Sequence, residues 1–147
     1  MNWTKDKSIA LSRACVIVFE LLLAALDVMT FRMRGVTLNL LGGYASRAVL
    51  LGVALCSALA WPALFLLWRL LGNMKAGKVF HSDNVRLMRL ISWCFVGAAL
   101  ACALGALWEP LLLVLAMAAG FIALIVRIVK NVFQQAIAMK SELDLTV

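Results

Sequence analysis

The chain has 147 residues, 65% of them hydrophobic and only 14% charged, with a mean hydropathy of +1.02 and a net charge of +7. Soluble domains are roughly 45–50% apolar and about 25% charged, so this chain has more apolar surface than a water-soluble fold can cover, and its solvent is lipid. The positive charge does not mark direct nucleic-acid binding: Lys and Arg sit at the ends of apolar runs rather than on one polar face, a pattern that reports topology and contact with anionic lipid headgroups.

The first apolar run, about residues 8–30, is long enough to cross a hydrocarbon core of about 30 Å as a helix. A charge recurs at every seventh position: Asp6, Arg13, Glu20, Asp27 and Arg34. Such residues drift only about 20° per step and form one stripe. Glu20 falls near mid-membrane, where a carboxylate is costly and needs a polar partner, water or a proton. No basic residue shares its depth, so its expected partners are Ser57, a Trp N–H or water. Asp27 is expected at the outer boundary, level with Arg47 and paired with it, with Arg34 close by; Arg13 is expected to snorkel to the opposite surface. One reading makes Glu20 a proton or cation site. The other, which has more support, makes it a packing element or an interhelical contact in a homo-oligomer, because spans three and four offer few polar residues to complete a carrier site. A basic start resembles a signal peptide, but Glu20 interrupts the stretch and no clean cleavage site follows, so a retained span is expected.

The first outer connection, Arg32 to Ser46, is longer than the second and contains Gly35, Gly42 and Gly43; a short ordered cap is one form open to it. The second span, about 47–71, contains Pro62, which removes one backbone hydrogen bond and predicts a kink; Ser57 is a candidate to satisfy the freed carbonyl. Ala48, Gly52, Cys56 and Ala60 in this span, and Gly97, Ala101 and Gly105 in the third, form small-residue faces that favour close packing within the chain. Gly77 ends the second helix; Ser82, Asp83 and Asn84 are expected to supply an N-cap and a first-turn carboxylate for the third span, about 85–108, with Arg86 and Arg89 at headgroup level. A tight turn at Trp108-Glu109-Pro110 leads to a fourth span, about 110–129. An amphipathic extension of the fourth span ends near Lys140 and precedes an acidic tail.

Eleven of the 14 Lys and Arg residues lie in the N-terminal flank, the connection between spans two and three, and the C-terminal segment, which predicts both termini in the cytoplasm. Four of the five tryptophans, Trp3, Trp68, Trp93 and Trp108, fall near expected interfaces, and Trp61 lies deeper. Cys15, Cys56, Cys94 and Cys102 lie inside apolar runs without C-x-x-C spacing and read as small hydrophobes. His81, the one histidine, reads as a solvated loop residue. No catalytic or phosphate-binding signature is present, and no cofactor or metal is expected.

Two segments carry a resemblance. Gly77-Lys78-Val79-Phe80-His81-Ser82-Asp83-Asn84-Val85, with the basic and apolar residues that follow through Arg86 and Arg89 to Ile91 and Trp93, resembles the central signature of domain-of-unknown-function family 2975, small bacterial four-helix membrane proteins. The ending Glu142-Leu143-Asp144-Leu145-Thr146-Val147 resembles that family's acidic C-terminus. The chain departs from the family pattern at His81, where Ser is usual, and at Asp83, where Glu is usual. The family has no established activity. Its members are often encoded beside a helix-turn-helix repressor, which implies a soluble regulator as partner.

The expectation is therefore an all-α, four-transmembrane-helix bundle forming one domain over residues 1–147 in a bacterial cytoplasmic membrane, with both termini inside. Its expected function is non-enzymatic regulation or interaction through the cytoplasmic face. The alternative is a small oligomeric transporter or channel using Glu20 and Asp27.

Overall fold

The computed structural model describes the backbone of residues 3–40 and 43–146 and the side chains of residues 7–33, 47 and 49–146. It contains four α-helices, α1 (Trp3–Leu40), α2 (Gly43–Lys75), α3 (Ser82–Gly105) and α4 (Leu111–Leu145), and no strand among the described residues. Each helix has a stretch long and apolar enough to cross a membrane. A helix satisfies its own backbone groups, which lipid cannot do, so an all-helical architecture follows from the composition.

Two regions differ from the sequence reading. The outer connection at residues 32–46, read there as a separate connection open to a short ordered cap, is mostly a continuation of the two spans: α1 runs on to Leu40 and α2 begins at Gly43. The fall in hydropathy marks where the chain leaves hydrocarbon, not where its hydrogen bonding stops. For the same reason α4 continues beyond Lys140 to Leu145. There Ser141 Oγ donates to the Ala138 carbonyl at 2.7 Å, and Thr146 Oγ1 donates to the Leu143 carbonyl at 2.9 Å. In α2, Pro62 is carried inside one helix, Gly43–Lys75.

The helices pack in chain order, each against the next, and every pairing is antiparallel. From α1 to α2, Arg13 meets Trp68 while Asp27 meets Ser57 and Trp61. From α2 to α3, Asn73 meets Asn84, Leu59 meets Gly97, and Cys56 meets Cys102. From α3 to α4, Ser92 donates to the Ala123 carbonyl at 3.2 Å, and Gly105 lies against Leu112. The start of α1, the α2–α3 loop and the end of α4 therefore share one end of the bundle, the loop end; the α3–α4 turn marks the other, the turn end.

Close approach is set by the small residues the sequence singled out. A Cβ at Gly97 would lie 3.2 Å from Leu59 Cδ1, and Cβ atoms at Gly52 and Gly105 would lie 3.6 and 2.6 Å from Leu112 Cδ1. Leu112, itself buried, wedges between α2 and α3. These faces are consumed within the chain. Near the loop end Leu70, Leu87 and Met88 form a buried cluster with Leu66, Leu67, Val126 and Phe133 packed on it. Most other large apolar side chains, including Leu11, Phe19, Leu22, Phe65, Phe121 and Leu124, face outward, as lipid solvation allows.

The α2–α3 loop is closed by a Schellman motif. Gly77 has φ 74°, a left-handed conformation that glycine adopts without a Cβ penalty. Gly77 N–H donates to the Met74 carbonyl at 3.2 Å and Lys78 N–H to the Asn73 carbonyl at 3.0 Å. The expected side-chain N-cap of α3 is corrected: Ser82 is the first helical residue, and His81 is the N-cap, with extended backbone and no side-chain cap bond. Asn84 instead turns inward and is fully buried. Its Nδ2 donates to the Lys78 and Val79 carbonyls at 2.7 and 2.8 Å, and its Oδ1 accepts from Asn73 Nδ2 at 2.8 Å. Every hydrogen-bonding direction of the short amide is used except one lone pair.

Replacing Asn84 by Ala strands two carbonyls and one amide. The cost of unpaired buried groups predicts a loss of about 2–3 kcal/mol, read as a lower midpoint of thermal unfolding in detergent. Asn84→Asp is predicted to do no better, because an acceptor would face two carbonyls. An unchanged midpoint for either variant refutes the clamp.

Candidate functional site

Two polar assemblies stand out, one inside the α1–α2 pair and one at the loop end. In the first, Ser57 and Trp61 lie one turn apart on α2 and so share a face. Both donate to the same oxygen of Asp27: Ser57 Oγ at 2.8 Å and Trp61 Nε1 at 3.1 Å from Oδ2. Ser57 is buried and Asp27 half-buried. The sequence reading assigned a serine and a tryptophan N–H to Glu20 and an arginine to Asp27. The antiparallel register gives the serine and the tryptophan to Asp27 instead. Ser57 lies five residues, about 7.5 Å, from the Gly52–Leu112–Gly105 contact toward the loop end, and Asp27 is level with it. Ser57 is also not available for the carbonyl freed by Pro62.

Arg47 is exposed and lines the same open groove as Asp27, Thr30, Phe31, Leu50 and Leu51, of about 640 Å³. No ion pair joins Arg47 to Asp27 among the described residues. Glu20 is half-buried, and no side chain among those described hydrogen-bonds to it. Arg13 places its guanidinium 4.7 Å from the Trp68 ring centroid. Its Nη2 lies over Gly72, where a Cβ would stand 3.4 Å away, in ordinary contact. Arginine over a tryptophan face is a favourable way to hold a cation where water is scarce. The side chains of Asp6 and Arg34 lie outside the described residues. The stripe thus separates into an aromatic-held cation, a half-buried carboxyl and a doubly hydrogen-bonded carboxyl.

The second assembly unites the two segments the sequence singled out. The α2–α3 loop lays Phe80 beside Phe133 of α4, with ring centroids 6.4 Å apart and planes inclined by 31°. Lys140, two turns further along α4, places Nζ 5.8 Å from the Phe80 ring centroid. Phe80 remains 50% exposed. From this point α3 sorts its residues by face. Asn84, Val85, Leu87, Met88 and Ile91 turn inward, while Ser82, Asp83, Arg86 and Arg89 are exposed beside exposed Lys75 and Lys78. Glu142, Asp144, Leu145 and Thr146 of the α4 end are also exposed. The sequence had placed Phe80 in a motif; the missing signal was its contact with α4, which needs the antiparallel register. No group of three or more His, Cys, Asp or Glu side chains suited to a metal occurs among the described residues.

The model of the family described as Protein of unknown function (DUF2975) matches residues 22–147, and the chain belongs to that family. The match contains Asp27, Ser57 and Trp61, the whole loop-end assembly and the C-terminal segment, and begins after Glu20. Comparison with curated proteins and with solved structures found no match.

The Asp27 assembly makes a distinct prediction. Asp27→Asn keeps an oxygen for both donors and removes a charge from the span, so its thermal midpoint in detergent should equal or exceed that of the parent protein. Ser57→Ala should lower stability by about 1–2 kcal/mol, as loss of a hydrogen bond to a carboxyl group does. A marked loss for Asp27→Asn alone would show that charge, rather than hydrogen bonding, holds α1 to α2.

Proposed function

We propose that this member of the DUF2975 family is a non-enzymatic regulatory membrane protein of the bacterial cytoplasmic membrane. In this reading its loop end faces the cytoplasm and docks a soluble partner, with a helix-turn-helix regulator the partner class suggested by the family. The observation that carries the reading is the contact of Phe80 with Phe133 and Lys140, which joins the signature loop and the C-terminal helix into one surface. The orientation is supported by the basic residues: Lys75, Lys78, Arg86, Arg89, Lys130 and Lys140 cluster at this end, where the positive-inside rule puts them in the cytoplasm. The same charges favour anionic headgroups, so the membrane surface and the partner would meet at one rim.

Phe80 suits a docking role because half of a large aromatic ring stays open beside the Lys140 cation, on the end of α4 that also carries exposed Glu142 and Asp144. Aromatic and cationic side chains together supply both apolar contact and directional charge. The transport reading draws on Asp27 and its groove. That groove is otherwise mostly apolar, and Glu20 does not line it. Asp27 is also already occupied with two donors from α2, so the loop end is the better-supported location of function.

The test has two arms. Fusing a cytoplasm-active and a periplasm-active reporter separately after residue 147 should give signal only from the first. Affinity purification from native membranes should recover a soluble regulator with the parent protein and several-fold less with Phe80→Ala or Lys140→Glu, at equal membrane abundance. Periplasmic signal, or purification that recovers no soluble regulator, overturns the proposal.

A further inference from the structure

The interior holds a pair of groups that the loop-end reading does not employ. Cys56 of α2 and Cys102 of α3 face each other with their sulfur atoms 3.1 Å apart, both as free thiols. The Cys56 thiol also lies 3.9 Å from the Ala98 carbonyl. The two cysteines are 46 positions apart in sequence, so spacing gave no sign of the contact.

We infer that Cys56 and Cys102 are an oxidisable thiol pair that closes to an interhelical disulfide, with a membrane-dissolved quinone as the two-electron acceptor. The geometry is set by groups other than the cysteines. On one side Gly97 lets α3 approach Leu59, and on the other Gly52 and Gly105 receive Leu112. The α2–α3 backbones are thus held close at Gly97, and Leu112 seated against Gly52 and Gly105 fixes their spacing on the other flank of the pair. A disulfide needs its sulfurs about 2.05 Å apart, so the atoms have about 1 Å to travel, a distance side-chain rotation can supply between fixed helices.

The location restricts the oxidant to one that dissolves in lipid. Both residues lie in the apolar spans, with Cys102 buried and Cys56 half-buried. Charged, water-borne thiols and disulfides do not partition there, whereas a quinone does. In the reaction both S–H bonds break and one S–S bond forms. The two electrons and two protons pass to the quinone, which becomes the hydroquinone. The product ties α2 to α3 near the turn end and fixes their relative sliding. Cys15 is exposed on α1, and Cys94 lies elsewhere on α3, so neither competes in this contact. The inference is independent of the loop-end reading, because it concerns the chemistry of the chain alone.

The experiment uses the full chain in membranes, held without oxygen and exposed to decylubiquinone, whose ring has no open position for thiol addition. After denaturation in an alkylating agent and digestion without reductant, mass spectrometry should find the Cys56 and Cys102 peptides joined and two hydrogens lighter than the separate thiol peptides. Reductant should release them, and absorbance should show one quinone reduced per disulfide formed. Cys15 and Cys94 should remain alkylated. The joined species should be absent from Cys56→Ser and from Cys102→Ser, but because the primary readout is on the parent chain, a folding defect in either variant does not blunt the test. Complete alkylation of both Cys56 and Cys102 after quinone exposure overturns the inference. So does a disulfide that joins two chains instead of two helices of one.

Discussion

The carboxamide of Asn84 is the interaction on which most of the arrangement depends. Through one buried group it binds the last full turn of α2 at Asn73, two successive loop carbonyls at Lys78 and Val79, and the first turn of α3. An amide offers two donors and an acceptor at fixed angles, so the bonds specify direction as well as proximity. Once the hairpin is set at this end, antiparallel register carries the remaining α2–α3 contacts into place. The Leu70, Leu87 and Met88 cluster comes next, then Leu59 on Gly97, then the paired cysteines. The same clamp holds Val79 and thereby delivers Phe80 to Phe133.

Polar contacts have a different task between α1 and α2. In lipid, an apolar side chain gains little by leaving hydrocarbon for another helix, so helix association relies on packing and hydrogen bonds. The spanning part of α1 is almost all outward-facing. What fixes its height and rotation against α2 is a polar pair of contacts roughly two heptads apart: Arg13 over Trp68, and Asp27 with Ser57 and Trp61. The two charges therefore serve as register marks. Two neutral donors on one carboxyl oxygen moderate the cost of burying it without introducing a second charge, and the tryptophan face does the corresponding service for the guanidinium.

The sequence made some of this legible and concealed the rest for physical reasons. Span number and the two hairpin turns were readable because hydropathy, Gly77 and Pro110 act locally. The glycine faces were readable as packing faces because spacing of four defines a helix side. The partners of Asp27 were not readable, since they depend on which residues the antiparallel α2 places opposite it. Asn84 was misassigned for an instructive reason. An Asn near a helix start is a good capping residue, but capping requires the side chain to turn back on its own helix, and here it faces a preceding loop with two open carbonyls. Arg13, Trp68 and Gly72 form a unit that no single-segment pattern contains.

The length of α4 bears on what the loop end is for. Its 35 residues extend about 52 Å, whereas about 20 residues suffice for the hydrocarbon core. The surplus lies at the loop end, because Leu112 is fixed at the turn end and Phe133 already stands beside the loop. Beyond Phe133 the helix carries Gln134, Gln135, Lys140, Glu142 and Asp144 together with exposed Met139, Leu143 and Leu145. Exposed leucines on a helix that has left hydrocarbon have two ways to escape water: the headgroup boundary, or a protein surface. Lys140 favours anionic headgroups, whereas Glu142 and Asp144 oppose them. The proposed docking role uses the second way, with Phe80 extending the apolar contact from the loop side. The segment that folds the hairpin through Asn84 thus also builds the face through Phe80, which is why folding and presentation occupy adjacent residues of one short signature.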